Sequence, residues 1–223
     1  MEVTLINFTP LSVPIHAMGK CYGKEVNEKI LVNAVKAGHR SLLEHVLVTF
    51  DMTMSEKCLA QITRHRWLSF TVQSTRGADF SDMDYFDPSF FAESGNLNDK
   101  QSEMDLRFCL QDGISCYGAI LESLKDEPRG KEIAGYTLPM GTNVNLTVSG
   151  NLRAWLEYLP KRLCKRASVE HQLIAREVYR QLNEVYPNII NKEVLGICEN
   201  CKESSCDFST HKSKPKEPVR SEL

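Results

Sequence analysis

The stretch Gln61 to Arg76, QITRHRWLSFTVQSTR, constrains this chain most, because it sets Arg64, His65, Arg66 and Arg76 in a run of sixteen residues without one acidic side chain. A solvated basic face interleaves its cations with Asp and Glu. Here the positive charge must be balanced by a distant part of the chain or by an anionic ligand. The planar fork of arginine suits phosphate and carboxylate, and the Ser69 and Ser74 hydroxyls add neutral donors, so a phosphorylated ligand fits the pattern. A helix C-terminus is the competing explanation, since cations there complement the helix dipole.

At 223 residues, with 42% hydrophobic and 25% charged content, the chain can bury a substantial core. One domain over residues 1–190 with an appendage over 191–223 is the simplest division. A net charge of -2 and a pI near 6.3 argue against a nucleic-acid coat or a membrane-surface protein, so any basic site is local. The opening MEVTLINFTP is not a basic leader followed by an apolar run, and nowhere are there about eighteen uninterrupted apolar residues. The expectation is a cytoplasmic protein with neither membrane nor nucleic acid as partner. Its eight cysteines are then reduced thiols, with Cys21, Cys58, Cys109, Cys116 and Cys164 expected in the core.

Residues 3–8 read as a strand, after which Pro10 and Pro14 interrupt regular structure. Ile30, Leu31, Ala34 and Val35 recur at helical spacing within Glu25–Ala37, and Gly38 stops that helix. Val46–Met52 suits a strand, and Ser55 opens a second helix whose far end carries Arg64, His65 and Arg66. His39 and His45, taken alone, read as core histidines. Residues 77–102 lack periodicity, and an irregular segment of that length suggests a lid. A long helix follows over about 102–124, with Met104, Phe108, Ile114, Tyr117, Ile120 and Leu121 inward, then a shorter one holding Glu132. Asn143–Val148 alternates as a strand does. Asn151 can cap a helix through Trp155 and Leu159, which Pro160 is expected to interrupt before a last helix over 167–185.

From Pro187 the composition shifts to Asn, Lys, Ser and Pro, predicting a mobile tail. Within it Cys198, Cys201, Cys206 and His211 follow C-x2-C-x4-C-x4-H, close to zinc-knuckle spacing with the last Cys and His exchanged. Three thiolates and an imidazole would close a tetrahedral zinc shell; the other possibility is a flexible tail that happens to bear cysteines.

Arg-His-Arg, seven residues, then Ser74, with Gln61, Ser69 and Arg76 flanking, resembles the signature of the flavin-dependent thymidylate synthases, the thymidylate synthase complementing proteins. Two further blocks agree. His39, Ser41, Glu44 and His45 look like the family's His-x-Ser-x-x-Glu-His segment. Leu138-Pro139, Asn151, Arg153 and then Arg162, eleven residues after Asn151, with Arg166 beyond, repeat the family's order.

The resemblance implies an α+β fold with a central antiparallel sheet flanked by long helices, assembled as a homotetramer. It implies an enzyme that converts dUMP to dTMP with FAD as cofactor and with methylenetetrahydrofolate and NADPH as co-substrates, without a cysteine nucleophile. By motif position Arg64, His65, Arg66, Asn151 and Arg153 would contact FAD, with His39, Ser41 and His45 beside it. Gln61, Ser74, Arg76 and Arg162 would bind the nucleotide. Arg162 and Ser74 would be the catalytic residues, Arg162 polarising the pyrimidine so that it accepts hydride.

Five positions depart from the family. Gly135 stands where an arginine usually contacts the nucleotide, and Gly77 where Tyr follows the signature's last Arg. Thr71-Val72 replaces an Asn-Glu pair, and Glu157 an Asn or His. Losing one arginine at a phosphate costs one charge-assisted bond, about 1.5–3 kcal/mol. These departures leave room for methylation of another uridine nucleotide, or for a flavin- or nucleotide-binding relative that does no chemistry.

Overall fold

The structure, a computed structural model, describes residues 1–93, 97–198 and 201. Its sheet has four strands, β1 (Glu2–Phe8), β2 (Leu47–Ser55), β3 (Ser69–Val72) and β4 (Asn143–Asn151), in the order β1-β2-β4-β3. Side chains on β2 and β4 pair as Thr49 with Ser149 (2.9 Å), Asp51 with Thr147 (3.4 Å) and Thr53 with Asn145 (2.8 Å), one index rising as the other falls, so the two run antiparallel. Thr9 N–H donates to the Leu47 carbonyl beside β1, and Gln73 N–H to the Asn145 carbonyl beside β3, in the same antiparallel sense. The alternate residues Val48, Phe50, Met52, Met54, Val144, Leu146 and Val148 are buried, as the two-residue period of a half-covered strand requires. The α+β fold with an antiparallel sheet is thus as the family resemblance implies. β3 was not expected; its four residues lie inside the signature.

The chain divides into two compact units, and the division falls within all four strands. The first unit holds residues 1–2, 51–64 and 70–147. Here helix α3 (Glu56–Ile62) starts at Ser55, whose hydroxyl accepts from the Cys58 N–H at 3.1 Å. Of the segment 77–102, residues 77–88 are irregular but fastened. Phe80 is buried, its N–H bonded to the Tyr117 hydroxyl at 3.2 Å, and the backbone around Tyr85 bonds to Gly141 and Asn143. The segment also carries a short helix, Ser89–Glu93 (α4).

Helix α5 (Lys100–Ser123) is capped by Asp99, which accepts from the Gln101 and Ser102 N–H groups. Tyr117 of α5 joins Phe80, Val144 of β4 and Ala134 of helix α6 (Gly130–Gly135) in the core, with Leu59, Val72, Ile120, Leu121 and Leu138 around them. A Cβ on Gly113 would lie 2.6 Å from the Pro139 ring, so α5 and the Leu138-Pro139 segment meet closely at that glycine. The inward assignment of α5 holds for Ile114 and Tyr117 but not for Met104 and Phe108, which are 62% and 70% exposed. At about 36 Å, the helix is longer than the core beside it. Of the cysteines expected in the core, Cys58 is buried, Cys164 partly so, and Cys21, Cys109 and Cys116 are exposed.

The second unit holds residues 3–50, 65–69 and 148–223. Helix α1 (Ser12–Tyr22) forms where two prolines were expected to prevent it, because Pro14 lies in its first turn, where a backbone N–H has no intrahelical partner. Helix α2 (Glu28–Lys36) is capped by Asn27, and a 3-10 helix, Ser41–His45, leads into β2. Helix α7 (Leu152–Arg162) follows β4 without a loop. Asn151 ends the strand and caps the helix, its Oδ1 accepting from the Ala154 N–H at 2.9 Å.

Pro160 does not interrupt α7. The helix runs through it to Arg162, and the Leu163 N–H still reaches the Leu159 carbonyl at 2.8 Å. A proline this close to the end removes its own bond, while Trp155, Leu156, Tyr158 and Leu159 stay buried and hold the helix. Helix α8 (Val169–Val185) buries His171, Ile174, Ala175, Val178 and Leu182, and its Gln181 bridges to Val3 and Leu5 of β1. The residues expected to begin the tail are ordered: α9 (Lys192–Leu195) buries Val194 and Leu195, and Arg40 donates to the Val194 carbonyl at 3.0 Å.

Candidate functional site

In the first unit the signature residues sit where strand and helix end. Gln61 lies in the last turn of α3, and Arg64 just beyond it, its N–H on the Gln61 carbonyl at 3.3 Å. Past β3 the chain turns sharply at Ser74. Its carbonyl accepts from the Gly77 and Ala78 N–H groups (3.1 and 2.8 Å), and its hydroxyl accepts from the Arg76 N–H at 3.3 Å. The Ser74 hydroxyl proton therefore remains free to donate outward. Gly135 faces this turn: a Cβ on it would lie 3.5 Å from Thr75, ordinary contact rather than a clash.

In the second unit His65 and Arg162 are directly bonded, Arg162 Nε donating to His65 Nε2 at 2.8 Å. His65 also packs edge-on to Tyr158 at 4.9 Å and lies near His171, which Tyr158 contacts as well. Burial, then the charges of Arg162 and Lys161, push the His65 pKa down to about 4. Burial, then Arg162 and His65, push that of His171 down to about 3. Both rings are neutral near pH 7, so His65 is not one of the stretch's cations. Neither ring nitrogen of the fully buried His171 has a hydrogen-bond partner among the described residues. His171 heads the buried stripe of α8, and its helical register with Ile174, Ala175 and Val178 was the signal available in the sequence.

Arg64, Arg66 and Arg76 are exposed, and none has an ion pair within 4 Å among the described residues. Arg153 differs. It pairs with Glu44, on the 3-10 helix, and with Glu157 one turn along α7. These three residues with Asn151, Ala154 and Trp67 line a cleft of about 280 Å³. One cation against two carboxylates makes it a polar rather than a cationic cleft, with an indole 79% exposed. Nothing in the sequence marked Trp67 as a site residue. His39, Ser41 and His45 are all exposed, so neither histidine is a core residue. Of the zinc candidates, Cys198 and Cys201 are described and Cys206 and His211 lie outside the described residues; no metal cluster occurs among the described residues. No described helix is long and apolar enough to cross a membrane.

In the first unit of this antiparallel α+β fold Arg76, without an ion pair among the described residues, shares a turn with Ser74, and the donors of that turn are of the kind that suits a phosphorylated ligand. A model of the thymidylate synthase complementing protein family matches residues 4–188. A probable flavin-dependent thymidylate synthase of Mycobacterium phage D29 is 36% identical over 169 residues, 73% of this chain and 71% of the relative. A flavin-dependent thymidylate synthase of Nitratidesulfovibrio vulgaris is 27% identical, covering 88% of this chain and 89% of its own. In fold the chain is similar to thymidylate synthase X of Helicobacter pylori, solved with FAD and dUMP, at a TM-score of 0.67 and 21% identity over 87% of this chain and 99% of that one. The chain belongs to the thymidylate synthase complementing protein family.

Proposed function

We propose that the chain binds FAD and reductively methylates dUMP to dTMP, with methylenetetrahydrofolate as one-carbon donor and NADPH as reductant. Family membership and the names of its relatives support this reading. The observation that carries it is that Arg64, Arg66 and Arg76, in family register, have no protein counterion among the described residues. An exposed arginine without a counterion raises the potential around it until an anion neutralises it.

The residues fit FAD. In the second unit Arg66 offers a guanidinium group to a pyrophosphate, and the cleft at Asn151 and Arg153 offers the exposed Trp67 ring and carboxylates rather than positive charge, which suits an uncharged ring or hydroxyls. Bound FAD supplies the hydride chemistry that no side chain provides. Ser74 and Arg76 hold the nucleotide. Arg162 polarises the pyrimidine while His65 holds its Nε, so the guanidinium is oriented before the ring's negative charge develops. Met104 and Phe108, one turn apart on α5 and exposed, are the kind of apolar surface that a homotetramer covers. The purified protein should be yellow or take up FAD at micromolar concentration; a native oligomer that takes up none contradicts the proposal.

A further inference from the structure

A second cation reaches the Ser74 turn, from outside every motif in the sequence. Lys131, in the first turn of α6, donates from Nζ to the Gly77 carbonyl at 3.1 Å. Gly135, four residues on and so on the same helix face, abuts Thr75 of the same turn. α6 therefore presents both positions to the turn that carries Ser74 and Arg76. One of them is a glycine with nothing to offer an anion; the other is an ammonium with three donors, of which Gly77 occupies one.

The charges around the turn can be counted. Arg76 and Lys131 are positive. Asp79 is the acid beside them, its carboxyl held below the usual range first by hydrogen bonds from the Ser81 hydroxyl and N–H and then by the Lys131 charge. Lys131 makes no ion pair within 4 Å among the described residues. The turn is left with one net positive charge, whereas a phosphate monoester carries between one and two negative charges near pH 7. A half-buried lysine resting on one carbonyl adds little to stability, so its placement is better explained by what it faces.

We propose that Lys131 is a phosphate-binding residue, which with Arg76 and the Ser74 hydroxyl takes the phosphomonoester of the nucleotide and supplies from one helical turn away the cation that Gly135 lacks. This rests on the nucleotide role given above to Ser74 and Arg76. The test is titration of the FAD-loaded full chain with dUMP and with deoxyuridine, for wild type, Lys131→Gln, Lys131→Arg and the double variant Lys131→Gln with Gly135→Arg.

Wild type should bind dUMP more tightly than deoxyuridine. Lys131→Gln should weaken dUMP about tenfold and leave deoxyuridine unchanged, as loss of one charged hydrogen bond at a half-buried site predicts. Lys131→Arg should retain dUMP binding. The double variant should regain it, because a Cβ at 135 meets Thr75 at ordinary contact distance and leaves an arginine there to extend toward the turn. Equal dUMP binding by wild type and Lys131→Gln overturns the proposal and leaves the nucleotide reading intact. Parallel loss of dUMP and deoxyuridine assigns Lys131 to the fold and also overturns it. Wild-type protein that binds no dUMP overturns the reading beneath.

Discussion

Arg162 and His65 are joined by a 2.8 Å hydrogen bond in which Nε of the arginine donates to Nε2 of the histidine. An imidazole nitrogen that accepts cannot carry a proton, so His65 is neutral with its hydrogen on Nδ1. The bond fixes one edge of the guanidinium. An arginine with its orientation set in advance loses less freedom when charge develops against it, which is how an electrostatic catalyst gains over the same group in water.

The consequence for turnover is specific. Arg162→Ala should lower the rate of dTMP formation by about 2–4 kcal/mol, as for a lost oxyanion donor, while FAD content stays near that of wild type. Single-turnover rates and flavin absorbance on the same samples check this. Loss of FAD together with activity would assign Arg162 to the cofactor instead.

The neutral histidine pair makes stability depend on pH. The folded-state pKa values, about 4 for His65 and about 3 for His171, lie below the usual 6.5, so between these limits the unfolded chain binds more protons than the folded one. Their contribution is complete above about pH 6.5 and is lost as pH falls toward 4 and then 3. The urea midpoint should therefore drop across that window. His171→Phe, which fills the same space with a ring that does not titrate, should make the drop shallower.

Trp67 is a built-in reporter. The chain has two tryptophans, and Trp155 is fully buried while Trp67 is 79% exposed in the cleft with Asn151 and Arg153. FAD titration should quench the solvent-exposed, red-shifted emission, and Trp67→Phe should remove most of that signal. Arg64→Ala should weaken FAD binding by about 1.5–3 kcal/mol in the same titration.

Gly113 tests the packing of α5 on the Leu138-Pro139 segment. Alanine gains about 1 kcal/mol in helix propensity, but its Cβ would sit 2.6 and 2.9 Å from Pro139 ring atoms that have little room to give. Overpacking typically costs about 1–3 kcal/mol, so Gly113→Ala should destabilise by about 1 kcal/mol net in chemical denaturation.

Much of this was legible from local chemistry. Ser55, Asn151 and Gly38 marked helix boundaries because capping and stopping depend on near neighbours. The acid-free run at Gln61–Arg76 showed that its charge had to be balanced by a distant part of the chain or by an anion. What stayed hidden depends on distance in sequence. Glu44 and Arg153 are 109 residues apart and meet only through the fold, and Lys131 becomes visible only when α6 lies against the Ser74 turn. Pro14 and Pro160 misled for another reason: a proline within one turn of a helix end loses few bonds, and buried neighbours decide whether the helix survives.

The central claim is tested most directly by supplying purified protein with dUMP, methylenetetrahydrofolate, NADPH and FAD and measuring dTMP. The account predicts dTMP in amounts that exceed the enzyme, requiring FAD and NADPH and undiminished by alkylation of the exposed Cys21, Cys109 and Cys116. Flavin-loaded protein that binds dUMP yet forms no dTMP would contradict it.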